Sequence, residues 1–443
     1  MDNKKKGIGI FIAAILVISV FAVVTTPASA NNGKEEAIEK GLEWLADQQD
    51  PTTGAWNLDY WPVASTAFAV LKFEHHAKYT REPSIDPFDP AYEYSDNIVK
   101  GWNYIFNHSY DIDIDPQWNG THLLDPDVNR VNGKGIYFMS PGSDNRPLYE
   151  VGIVMMALEA SCHPERVVEY GNHAGLNYST VMKDTVDYVA WAQNDWPNAG
   201  RGGWRYGAYD NGTISGPGWG GPHSDNSVSQ WPVLGLMSAE EWSIYAPDWV
   251  RTELLHHWLV FSQNAENGGF GYANNVSPNI ARTASGLTQL TYCGVETDDP
   301  RWDAAAGYIC TNWGSTGNIG NLYAMYGLMK AAMTAQPEIV WDFCGHEWQP
   351  EYDAWLIDTQ RIEPDYSPGD PEYGSWPPQY DTTGVLATAW ALLILQKVAP
   401  GVTPTPPPAS VPAMTPIGLI ALIGLLSVIA AISISTGIRR KRR

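Results

Sequence analysis

Two aspartates stand where a helix is expected to begin: Asp225, in Asp225-Asn226-Ser227, and Asp381, in Asp381-Thr382-Thr383-Gly384. A carboxyl group at such a place can donate a proton, and it can equally cap the helix by accepting from its first amides. Asp225 and Asp381 are the candidate catalytic residues, with capping as the competing role. A third acidic run, Asp111-Ile112-Asp113-Ile114-Asp115, alternates as a strand does. An EF-hand loop needs Gly at its sixth position and Glu at its twelfth. Here those positions hold Pro116 and His122, so that reading fails. A looser calcium loop through Asp125 or Asp127 stays open. No Cys-x-x-Cys and no Cys/His cluster occurs, and His223 stands alone in a Gly-rich stretch. Neither a metal nor a cofactor is expected. Aromatic residues recur in Gly-rich turns: Trp56, Trp204, Tyr206, Phe270, Tyr272 and Trp376. Their faces can stack on a sugar, line an apolar cavity or hold a cation. Trp204, Tyr206, Trp376, Tyr272 and Trp56 are the candidate ligand-binding residues, with packing of the turns as the alternative.

The elements that must position these residues repeat along the chain. Glu35–Gln49 has apolar positions at helical spacing, Ile38, Leu42 and Leu45, and is followed by a breaker-rich turn through Gly54-Ala55-Trp56. A more apolar helix follows from about Pro62. The same helix–turn–helix unit recurs around Gly202-Gly203-Trp204, Gly268-Gly269-Phe270 and Gly374-Ser375-Trp376. Two degenerate copies pair Asn97–Asn107 with Leu148–Ala160, and Pro300–Asn312 with Gly320–Thr334. Six hairpins result. The second helix of each is the less charged, so it should be buried all round, and the charged-faced first helices should lie outside. Six such pairs can close as two concentric rings without capping repeats.

The stretch Lys40-Gly41-Leu42-Glu43-Trp44-Leu45-Ala46-Asp47-Gln48-Gln49, with Gly54-Ala55-Trp56, resembles the QW motif of terpenoid cyclases. Gly268-Gly269-Phe270-Gly271-Tyr272 and Gly202-Gly203-Trp204-Arg205-Tyr206 resemble the repeat turns of protein prenyltransferase β subunits. The resemblance to this squalene cyclase/prenyltransferase superfamily covers residues 31–399. It implies an all-α fold, an (α/α)6 toroid, with the inner-helix N-termini and aromatic turns at one mouth. It also implies that Gln49, Gln193, Gln263, Gln360 and the turn aromatics are structural. The DxDD proton donor of the cyclases is missing, and the prenyltransferase cysteine ligand is replaced by Ser227 and Thr383. Cys344-Gly345-His346-Glu347 is a near miss of the CGEQ thioester sequence. Asp225 and Asp381 belong to hairpins three and six. In a six-fold ring they face each other across about 16–20 Å, if neighbouring axes are 8–10 Å apart. That is too far for the carboxylate pair of a glycosidase. Cys293 and Cys344 both follow inner helices of adjacent hairpins, so a disulfide between them is the expected pairing.

Both ends carry membrane signals. Lys4-Lys5-Lys6, the apolar run Ile8–Val24 and Ala28-Ser29-Ala30 describe a signal peptide over 1–30. A Pro/Thr-rich linker (400–416), an uncharged apolar segment (417–434) and a basic tail (435–443) describe a C-terminal transmembrane anchor with the body outside. The tail resembles the C-terminal signals of archaeal surface proteins. Five sequons, at Asn107, Asn119, Asn177, Asn211 and Asn275, agree with export. The net charge of −22 over 443 residues, with both ends basic, leaves no basic face for nucleic acid. The expectation is a membrane-anchored extracellular toroid, acting as a binding or structural module on a surface glycan or apolar small molecule. The alternative is a cyclase-like enzyme or a glycan-processing lyase working in the central cavity.

Overall fold

The computed structural model describes residues 28–81, 83–127, 132–142, 146–197, 200–208 and 224–400. Residues 1–27, where most of the expected signal segment falls, residues beyond Pro400, where the anchor and basic tail are expected, Asn211 and His223 lie outside the described residues. Among the described residues no helix is long and apolar enough to cross a membrane.

The helices come in six pairs. The first members are α1 (Ala28–Asp47), α3 (Ser95–Asn107), α5 (Tyr178–Trp191), α7 (Asp248–Glu253) continuing through a π turn into α8 (Leu259–Ser262), α10 (Pro300–Thr311) and α12 (Trp348–Thr359). The second members are α2 (Pro62–His75), α4 (Pro147–Ala160), α6 (Asn226–Glu241), α9 (Ile280–Tyr292), α11 (Leu322–Thr334) and α13 (Val385–Leu395). Each second member packs on the next, and α13 closes onto α2. Residues 28–400 thus form a closed ring of six helical hairpins. Every residue of α2 and of α13 is buried, as expected of helices apolar all round. Pro62 and Pro147 occupy first turns, where the missing N–H costs nothing. Asp225, Asn279 and Asn321 cap their helices by accepting from the amides of Val228, Arg282 and Ala324.

The repeated turns show why glutamine, glycine and an aromatic recur together. Gln49 Nε2 donates to Gly54 O (2.8 Å) in its own turn and to Asn97 O (2.9 Å) on the next outer helix. Gln193 does the same with Gly202 and Val250, and Gln263 with Gly268 and Arg301. Gln360 bridges Gly374 and Ala37, which ties hairpin six to hairpin one. Gly374 has φ 92°, and an added Cβ would stand 2.5 Å from the Lys40 carbonyl oxygen. Only glycine fits there. The aromatic then turns inward. Its amide donates to a hydroxyl in the first turns of the inner helix: Trp56 to Thr66, Trp204 to Ser229, Phe270 to Thr283 and Trp376 to Thr388.

The insertion between α3 and α4 is a small antiparallel sheet. β1 (Ser109–Asp113) pairs with β4 (Lys134–Phe138), and β2 (Gln117–Trp118) pairs with β3 (Leu123–Leu124). The acidic run is therefore strand through Asp113, and Lys134 Nζ lies 2.5 Å from Asp113 and 3.4 Å from Asp111. Among the described residues no group of three or more Asp, Glu, His or Cys is placed to hold a metal ion.

The expected Cys293–Cys344 pairing is wrong. The disulfide joins Cys310 to Cys344, with Cα atoms 5.7 Å apart, and Cys293 is free. Cys344 does not stay at the end of α11. A linker and the hairpin of β5 (Asp342–Phe343) and β6 (His346–Glu347) carry it to the outer layer, where β5 packs on α10. Trp313, just past α10, stacks on His346 (4.7 Å) and Tyr352 (6.0 Å) at the same place. Cys293 caps α9, its Sγ against Arg251 O.

Candidate functional site

The first turns of the inner helices and two of the glycine turns converge at one mouth of the ring around a cleft of about 330 Å³. Its walls are Trp61 ahead of α2, Tyr149 and Glu150 in α4, Tyr206 and Tyr272 in the turns, Tyr323 in α11 and Tyr380 ahead of α13. Its floor is Phe68, Trp231 and Trp390, backed by Tyr326. Phe68 meets Trp231 at 5.7 Å, Tyr326 at 5.9 Å and Trp390 at 6.0 Å, each edge to face. These four rings, from four different inner helices, fill the middle, so the cleft has a packed aromatic floor.

The wall is aromatic but not apolar. Tyr206 and Tyr272 join hydroxyls at 3.0 Å. The Arg205 guanidinium lies 4.8 Å from the Tyr206 ring centre, Arg146 4.6 Å from the same ring, and Arg282 5.2 Å from Tyr272. Tyr323 donates to Ser227 O at 2.9 Å. Glu150 is the one carboxyl among the lining residues. It accepts from the Ser140 amide at 2.6 Å and from the Ser140 hydroxyl. Burial pushes its pKa up to about 7, against the pull of those two donors.

The two aspartates singled out in the sequence do not meet. Asp381 Oδ2 accepts from Thr383 Oγ1 (2.8 Å), Asn57 Nδ2 (3.1 Å) and the Leu386 amide (3.2 Å), and Oδ1 accepts from the Gly384 amide (3.3 Å). It clasps the start of hairpin six to hairpin one and does not line the cleft, so the catalytic assignment of Asp381 is corrected to a structural one. Asp225 is fully buried behind Tyr206 and Tyr272. Its Oδ1 accepts from the Val228 amide at 2.8 Å, and Arg205 lies 3.5 Å from Oδ2. Burial pushes its pKa up to about 6, opposed by the Val228 amide and Arg205.

Three of the five aromatic candidates are corrected as well. Trp56, Trp204 and Trp376 are completely buried. Their indole N–H groups donate to Leu45 O, Val189 O and Leu356 O on outer helices. They seal the turns and offer no face to a ligand. Tyr206 and Tyr272, further along the same turns, do line the cleft. Of the sequons, Asn107 and Asn275 are exposed, and Asn177 is partly so. Asn119 is buried, and its Nδ2, the atom that would carry a glycan, is enclosed between His122 and Glu253 at 3.5 Å, which leaves no room for one.

Sequence reasoning missed Glu150, Arg146, Trp61, Tyr149, Tyr323 and Tyr380. One signal was present. Glu150 is a charge inside the apolar helix Pro147–Ala160, and an acid on a helix buried all round must face a partner or a cavity.

No protein-family model and no curated protein sequence matches the chain. Among solved structures, a GH76 α-mannanase from Bacteroides thetaiotaomicron matches over 84% of this chain and 98% of its own, at 11% identity and TM-score 0.50. A protein from Actinoplanes matches over 82% and 99%, at 14% identity and TM-score 0.43. The first likeness supports a helical toroid. The chain is thus similar in fold to that α-mannanase, and the comparisons give no evidence for the squalene cyclase family.

Proposed function

We propose that this toroid takes a saccharide in the aromatic cleft at the inner-helix N-termini and processes it there. This keeps the glycan-processing part of the alternative weighed above, with hydrolysis in place of lyase chemistry, and is preferred here to a binding or structural module. The observation that carries it is Glu150, a carboxyl lining the tyrosine- and arginine-walled cleft, whose pKa burial raises to about 7 against the pull of Ser140. Tyrosine faces suit the C–H faces of sugar rings, and their hydroxyls with Arg146 suit sugar oxygens. A carboxylic acid still protonated near neutral pH can donate to a leaving glycosidic oxygen. Asp225, raised to about 6 behind the same wall, is the second acid of that mouth. The fold shared with a GH76 α-mannanase is compatible with this reading but names no sugar.

The test is a panel of polysaccharides, α-mannan included, assayed for retention and for release of reducing ends. Retention and release by the parent chain, release lost in Glu150→Gln, and retention weakened in Tyr272→Ala are the expected results. Retention without release returns the protein to a binding module. No retention at all rejects the cleft as a sugar site.

Export and anchoring belong to the same proposal and rest on residues 1–30 and 417–443 alone. Surface labelling of whole cells that fails to reach the exposed Asn107 region would reject them.

A further inference from the structure

The other end of the ring holds a second, smaller cavity, between the C-terminal ends of α2, α4 and α6. It measures about 80 Å³ and is lined by His75, Tyr79, Glu159, Ser238 and Glu241, with Pro400 at its edge. A groove of about 420 Å³ continues from it past Glu241 and Pro400.

Three features point to a ligand. Two helix C-termini, those of α4 and α6, carry the negative ends of their dipoles to this place, beside the π turn that continues α2 through Thr80. Glu159 and Glu241 add two carboxyls, and neither has an ion-pair partner among the described residues. Independently of the acids, both ring nitrogens of His75 and the hydroxyl of Ser238 are buried with no hydrogen-bond partner. His75 is 4% exposed and Ser238 fully buried. Buried polar atoms left unpaired are costly, so a ligand that hydrogen-bonds them is favoured here. Burial, reinforced by Lys72 and His76, keeps the His75 ring neutral, so one of its nitrogens is an acceptor.

We propose that this cavity binds the ammonium group of a small primary amine. An ammonium has three N–H donors. Glu159, Glu241, His75 and Ser238 line the cavity and offer its occupant acceptors from three sides, and the hydrocarbon part leaves along the groove. A divalent metal fits less well, because no cluster of three metal-ligating side chains forms here among the described residues.

The assignment has a protonic signature. Burial, and then the charge of Glu241, push the Glu159 pKa up to about 8. The groups facing it are Glu241 from α6, His75 and Tyr79 from α2 and its π turn, and Glu74 and Cys162 behind them. At pH 7 Glu159 is mostly protonated, and an arriving cation favours its ionised form. Binding therefore releases a proton.

The experiment is calorimetry of the intact chain with n-butylammonium chloride at pH 7 in two buffers of different ionisation heat. Saturable binding with proton release, weakened at least tenfold in Glu159→Gln and in Glu241→Gln, is expected. Glu266→Gln, on an exposed turn, should bind as the parent does. Glu241 is exposed, so its variant decides the matter even if Glu159→Gln fails to fold. Equal binding of tetramethylammonium, which has no N–H, overturns the proposal, as does unchanged affinity in Glu241→Gln. Calcium binding in place of the amine overturns it too.

Discussion

Glu150 gives the sharpest quantitative test, because the same property makes it a proton donor and a liability. It is buried and its pKa rises from 4.5 to about 7. At about 1.36 kcal/mol per pH unit, that interval amounts to about 3 kcal/mol. The sign follows from proton linkage. Between pH 4.5 and 7 the folded chain holds the Glu150 proton and the unfolded chain has lost it. Stability therefore falls as pH rises through that window and the loss is complete above about 7. Glu150→Gln removes the titration. Relative to that variant, the parent should lose about 3 kcal/mol between pH 4.5 and pH 8. Part of the intrinsic effect of the substitution is fixed, since an amide cannot accept from both Ser140 donors, but that part does not change with pH. Urea unfolding of both chains at pH 4.5, 6 and 8 measures the difference. A difference constant across the three pH values refutes the claim that Glu150 is held protonated. The proposed role as general acid falls with it, because a carboxyl ionised at pH 5 has no proton to give at neutrality.

Two further outcomes follow from the packing. Trp204→Ala leaves a large cavity and frees the Val189 carbonyl, so unfolding should be easier by about 3–5 kcal/mol, while sugar retention by the folded fraction is unchanged; selective loss of retention with full stability would restore Trp204 to the ligand site. Cys310→Ser opens a loop of 34 residues and should cost about 3–4 kcal/mol, whereas Cys293→Ser should be nearly neutral; non-reducing peptide mapping that recovers a 293–344 peptide would contradict the pairing.

The helical hairpins were legible because their cause is local. A run such as Val385–Leu395 has nowhere to go but inside, and Asn279 or Asn321 before a helix caps it by contacts within three residues. The glycine turns were legible for the same reason. The acidic run 111–115, expected as strand-like alternation or a solvated loop, is strand as far as Asp113 and irregular beyond it. What misled was inferring direction from position. Trp204 and Tyr206 are two residues apart in one turn, yet one is sealed inside and the other lines the cleft. Asp225 and Asp381 share a place before an inner helix. One lies behind the cleft wall and the other clasps Asn57 across the ring seam.

The sequence by itself determined that the chain is a repeated helical hairpin with a buried inner member, and that four of its turns carry a glutamine, a glycine and an aromatic. Period, propensity and capping act over a few residues, so they can be read from a few residues. Only the tertiary structure decided which side chains share a space. The cleft gathers residues from Trp61 to Trp390, and the aromatic floor takes one ring from each of four helices. The Cys310–Cys344 bridge likewise depends on where a linker crosses the outer layer. Such meetings depend on ring closure, which sums small rotations over six hairpins and leaves no mark at any one position.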